Sequence, residues 1–227
     1  MKERPILMTP ENAQKCHDGT KTQTRRVVKL PLDRGTWGPF LFEGSKCTTA
    51  YGKPGDDMVC ISNMKTGKTI ACPYGQVGDR LWVRENGWER PARTPKMLRD
   101  GADTWERFYF DALLDYGEAE DLKGYGFKRR PSIHMHRAFC RTVLEITEVR
   151  VERLQAIGEE DAIAEGVEFH NGGGIGHSGY RHVQSHGFVY GTPTEAFKVL
   201  WESINGKGSW SQNPWVWVIA FKKVRPQ

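Results

Sequence analysis

Residues 215–221, WVWVIAF, are the longest uninterrupted apolar run in a chain of 227 residues. They are too few to cross a membrane as a helix, which takes roughly 20. Apolar on both parities, they fit a strand in the middle of a closed or covered sheet. The helix before them is the best-signalled element in the sequence. Thr192, Pro193 and Glu195 compose a capping box with proline at the first helical position. Phe197, Leu200, Trp201 and Ile204 recur at helical spacing, a stripe that reads as core. Asn205 and Gly206 end it.

Earlier signals are sparser. Thr9 can cap a helix, Pro10 begin it and Gly19 end it. β-Branched residues from Thr22 to Val28 suggest a strand entered through a turn at Gly19 and Thr20. In RLWVRE, residues 80–85, Leu81 and Val83 alternate with Arg80, Trp82 and Arg84, which predicts another strand. Residues 139–154 read as a long strand. Leu144 and Ile146 share one parity and Val149 and Val151 the other, so a bulge near Thr147 and Glu148 would bring both pairs to the core. A short helix over 159–165 stops at Gly166. Residues 30–77, 87–131 and 168–191 read as long loop insertions, with one hairpin around 63–67. No regular βαβ alternation and no internal repeat appear. The expected fold is α+β, a small mixed β-barrel with short flanking helices, in a single domain over 1–227.

Charge is unevenly spread. The net charge is +5, yet residues 100–121 hold eight acids against one base. Residues 1–29 carry seven Lys/Arg against three acids, and residues 128–141 carry five bases and no acid. A basic body with an acidic insert suits a polyanion partner as well as it suits an unevenly charged, solvated surface. The five cysteines are scattered with no CxxC pair, so neither a disulfide framework nor a zinc ribbon is indicated. Residues 1–14 lack the apolar core of a signal peptide. The expectation is a reduced, cytoplasmic protein with no membrane partner.

Four segments carry a family resemblance. They are the first helix with GTKTQTRR (19–26), GDRLWVRE (78–85), the long strand with EEDAIAEG (159–166), and the Trp201 helix with the 216–221 strand. Together they resemble the ASCH family, small domains with a PUA-like β-barrel associated with RNA and nucleotide chemistry. The chain also looks like longer ASCH proteins of phages and prophages. Lys21, Thr24 and Glu165 match positions used by bacterial N(4)-acetylcytidine amidohydrolases. Many ASCH domains carry an acid where this chain has Thr24, so the threonine is the specific part of the match.

The resemblance implies a metal-independent amidohydrolase without a cofactor, acting on RNA or a modified nucleoside. Acyl transfer needs a nucleophile, a base and a proton for the departing amine. Thr24 offers a hydroxyl. Lys21 serves as base only when neutral, a form favoured by burial or by nearby Arg25 and Arg26. Glu165 serves as acid only when protonated; otherwise it pairs with Lys21 and keeps both charged. On a regular strand residues 21 and 24 face opposite sides, so Lys21 must sit in the preceding turn for both to line one pocket.

Two further functions compete. Arg25 and Arg26 are candidates for substrate or nucleic-acid contact, and Trp82 and Arg84 for stacking and phosphate contact, with Glu85 at the end of their strand, although barrel packing also explains Trp82. Arg129, Arg130 and Arg137, with Arg141, form the best strip for a nucleic-acid backbone, and such a protein would bind RNA or modified bases without reacting. A ribonuclease would need His134 or His136 as its base. His170, His177, His182 and His186 lie in a Gly-rich stretch that favours a loop over a metal site. The GKT at residues 67–69 lacks the first glycine of a phosphate-binding loop, which excludes a nucleotide triphosphatase.

Overall fold

The computed structural model describes residues 1–31, 35–39, 47–48, 51–52, 58–90, 95–101, 105–172, 178–182 and 188–225, with the side chains of 47, 48, 51, 52 and 97 excepted. In the first part of the chain, β1 (Glu3–Leu7) is followed by α1 (Pro10–Asp18), β2 (Gln23–Val27), β3 (Trp37–Gly38), β4 (Cys47–Thr48), β5 (Tyr51–Gly52), β6 (Met58–Asn63), β7 (Thr69–Ala71) and β8 (Arg80–Arg84). Next come β9 (Gly87–Glu89), α2 (Pro95–Arg99), β10 (Phe108–Phe110), α3 (Tyr116–Gly124) and β11 (Lys128–Arg130). The last elements are β12 (Val143–Arg153), α4 (Glu159–Ala164), β13 (Glu168–His170), β14 (Gly179–Arg181), α5 (Pro193–Asn205) and β15 (Trp215–Val224).

The main sheet runs β1-β8-β12-β15-β2, with β5 on the same edge of β12 as β8. β1 and β8 are parallel, and the other pairings of this sheet are antiparallel. β15 is apolar on both faces because each face has its own core. Trp217, Ile219 and Phe221 join one cluster with Leu81, Val83 and Ile6. Val216 and Val218 join another with Phe197, Leu200 and Trp201 of α5 and Ala162 of α4. The register of β12 on β15 shifts between Ile146 and Glu148. That bulge turns Leu144, Ile146, Val149 and Val151 into the same cluster.

The structure corrects two expectations. The sheet does not close into a barrel: β1 and β2 end the strand order, and among the described residues no backbone ladder joins them. They are tied by a side chain instead, Arg26 Nη2 donating to Leu7 O at 2.6 Å. Two packed layers bury both faces of β15, so closure is not required to cover it. The segments read as loop insertions also contain regular structure. Trp37, Val59, Ile61 and Cys72 of the first one complete the central core. The second holds the sheet β10-β9-β11, and the third the β13–β14 hairpin. The GKT sits beside the turn of the β6–β7 hairpin.

Candidate functional site

Gly19, at φ 83°, ends α1 in the left-handed region where glycine meets no Cβ penalty. The chain then turns, with Lys21 N donating to Lys15 O and Thr22 N to Ala164 O. Lys21 therefore precedes β2, facing the C-terminus of α4. Its ammonium donates to the carboxylate of Glu165 and to the carbonyl of Glu165, each at 2.6 Å. The two side chains are 1% and 3% exposed. An ammonium at a helix C-terminus also meets the negative end of the helix dipole. Gly166, at φ +94°, reverses the chain directly after Glu165, and Lys15 Nζ donates to its carbonyl.

Beneath this pair lies a second set of charges. The Arg25 side chain is fully buried and bonds Glu152 at 2.6 Å and Asp161 at 2.7 Å, with Glu165 Oε1 farther away at 3.4 Å. Arg150 bonds the same Asp161 oxygen at 2.6 Å. Burial would raise the Asp161 carboxyl, but hydrogen bonds from Arg150 and Arg25 hold it below its ordinary value. Two arginines thus balance Glu152 and Asp161, leaving Lys21–Glu165 as a largely self-contained pair. Cys16 packs behind it, and burial pushes its thiol up to about 12.

Lys21, Thr24 and Glu165 line one cavity of about 210 Å³. It occupies the gap between the end of β1 and β2. Thr24, Arg25, Arg26 and Val27 all line it, residues of both parities, so it lies against the edge of β2. The ladder explains why. Thr22 O and Val28 N bond β15, so even-numbered residues of β2 face β15 while the backbone N–H and C=O of Arg25 and Val27 point outward. Tyr74 and Phe197, Leu200, Trp201, Ile204 and Asn205 of α5 form much of the remaining wall, and Lys29 stands exposed on the rim. Burial raises the Tyr74 phenol. Trp201 Nε1 and Arg26 Nε are buried without a hydrogen-bond partner.

Other residues singled out in the sequence lie elsewhere. Trp82 packs with Phe108, Met135 and Val143, and Arg84 stacks on Trp82 while donating to Met135 O. Glu85 is buried against Arg141. Arg129, Arg130 and Arg137 pair with Asp111, Glu89 and Glu3. Neither His134 nor His136 lines the cavity. His182 is buried, whereas His177 and His186 lie outside the described residues. Among the described residues no group of three or more His, Cys, Asp or Glu is placed to hold a metal ion.

Sequence reasoning missed Asn12, Tyr74 and Lys29, and it assigned the α5 stripe to the core alone. Phe197, Leu200 and Trp201 are core, but they also wall the cavity, and Ile204 is half exposed at its mouth. A stripe whose last member outruns the core was the one available signal. No protein-family model, curated protein or solved structure matches the chain.

Proposed function

We propose that this protein is an ASCH-type, PUA-like amidohydrolase that removes an acetyl group from N(4)-acetylcytidine-type substrates. The observation that carries the reading is the meeting of Lys21 and Thr24 with Glu165, from a distant segment, in one cavity. Its size supports a single base or nucleoside. At about 210 Å³ it is smaller than the drug-sized pockets of roughly 300–1,000 Å³. Aromatic walls suit a planar base, and the outward backbone groups of β2 offer donors and acceptors to its edge.

The chemistry follows from the pairing. Passing one proton across the 2.6 Å contact to Glu165 makes Lys21 a neutral amine without exchange with solvent. The cost of holding two opposite charges in a dry site brings that form closer in energy. Thr24 Oγ then attacks the acyl carbon as its proton goes to Lys21. Lys21 returns the proton to the exocyclic nitrogen, which leaves as the free amine. Water hydrolyses the acetyl-threonine ester, releasing acetate and restoring the hydroxyl. Glu165 acts through Lys21, not as an acid facing the substrate.

A chromatographic assay of N(4)-acetylcytidine conversion tests this. Cytidine should form with the wild type, fall at least about 100-fold with Thr24→Val or Lys21→Ala, and partly persist with Thr24→Ser. No cytidine at high enzyme concentration, or full activity in Thr24→Val, defeats the mechanism. The RNA-binding alternative has less support, because Arg129, Arg130 and Arg137 are each already paired with a carboxylate.

A further inference from the structure

Two nitrogens of residues that line the cavity have no hydrogen-bond partner. Arg26 Nε and Trp201 Nε1 are both buried without a partner. Guanidinium and indole nitrogens donate and never accept, so both need an acceptor atom that the protein does not supply. Lys21 holds two of its three possible hydrogen bonds through Glu165. Trp201 is itself only 4% exposed, so ordinary surface hydration does not reach its indole.

The charges point the same way. Lys21 cancels against Glu165, and Arg25 and Arg150 cancel against Glu152 and Asp161. Arg26 has no carboxylate partner among the described residues; its one strong bond goes to the Leu7 carbonyl. Lys29, on the rim of the same cavity, likewise has none. The cavity therefore carries an excess of about two positive charges beside its aromatic wall. A phosphomonoester carries about −1.5 to −2 charges at neutral pH and several acceptor oxygens. The Arg26 guanidinium, with the exposed Lys29 ammonium beside it, supplies positive charge for that group.

We infer that the cavity takes a pyrimidine nucleoside 5′-monophosphate in preference to the bare nucleoside, with the phosphate on Arg26 and Lys29. This rests on the base-holding reading of the cavity. Arg26 follows Thr24 by two residues on the same parity of β2, about 6.6 Å along the strand. That is the scale of the span from a base across its ribose to the 5′-phosphate. The base then lies toward Lys21 and Thr24, and the phosphate toward the open rim.

Titration calorimetry on the full chain with cytidine, cytidine 5′-monophosphate and inorganic phosphate tests this. The monophosphate should bind at least tenfold tighter than cytidine, and the gap should shrink as salt rises. Lys29→Ala, an exposed position, should narrow the gap while leaving cytidine binding unchanged. Arg26→Gln should narrow it further. Equal affinity for the two pyrimidines overturns the inference, as does inorganic phosphate binding as tightly as the monophosphate. Failure to bind either pyrimidine overturns it together with the base-holding reading. A monophosphate preference without turnover of either acetylated form upholds the inference and defeats the hydrolase. Turnover of the acetylated nucleoside and its 5′-monophosphate at equal kcat/KM does the reverse.

Discussion

Lys21 is 2% exposed and Glu165 3%, so neither can fall back on water if the other is removed. Glu165→Ala leaves a buried ammonium whose remaining acceptor is a carbonyl, and should cost about 3–5 kcal/mol in urea unfolding. The double variant Lys21→Met/Glu165→Leu should regain most of that loss. A single variant costing under about 1 kcal/mol would mean that solvent reaches the pair. Gly166 makes a second prediction at this scale. At φ +94°, an added Cβ would meet Lys15 Cδ at 3.1 Å. Gly166→Ala should destabilise by about 1–2 kcal/mol and displace Glu165, lowering activity along with melting temperature. The resemblance singled out Lys21, Thr24 and Glu165, and the three line one cavity. The sequence did not reveal that Arg25 would be neutralised from below, because Glu152 and Asp161 reach it from other elements.

Elements with strong local signals were readable in advance. The ends of α1 follow from Thr9, Pro10 and Gly19, and both halves of the α5 capping box form. Thr192→Ala removes the α5 side-chain cap and should cost about 1 kcal/mol, read by thermal melting. An unchanged melting point would show that packing of Phe197 and Trp201 alone holds the first turn. The β12 bulge was also readable, since two apolar pairs of opposite parity leave few other ways to share one core. β1 was missed because ERPIL buries only Ile6 fully and carries a proline, the mark of an edge strand. β6 was readable only through its turn, as the hairpin expected around 63–67 and formed by β6 and β7; the glycines and prolines around it and its buried polar members Ser62 and Asn63 hid the rest.

At the scale of the molecule, acidic groups tie distant parts of the chain together. Asp79 accepts from Lys2 N at 2.6 Å and from Arg4 at 2.7 Å, and Asp161 joins Arg25 to Arg150. Burial would raise both carboxyls, but these bonds hold each below the ordinary value of 3.8. A depressed folded-state value means stability that is fully present above about pH 4 and is lost as pH falls through the folded value. Melting temperature should therefore drop steeply below pH 4, and Asp161→Asn should flatten part of that limb. A limb unchanged in Asp161→Asn would assign the acid loss to other groups. The barrel expectation failed at this same scale. An apolar run tells which strand is covered, but whether the two ends of a sheet meet depends on side chains such as Arg26, distant from that run in sequence though paired with Trp217 in the sheet.

The unclosed seam has a consequence in time as well as in space. Amides of Thr24 and Arg26 are directed into the β15 ladder, whereas those of Arg25 and Val27 face the cavity. Hydrogen exchange along β2 should then alternate residue by residue, fast at 25 and 27 and slow at 24 and 26. A bound base would quiet the fast pair first, so the strand's own exchange rhythm would report which edge the ligand reads.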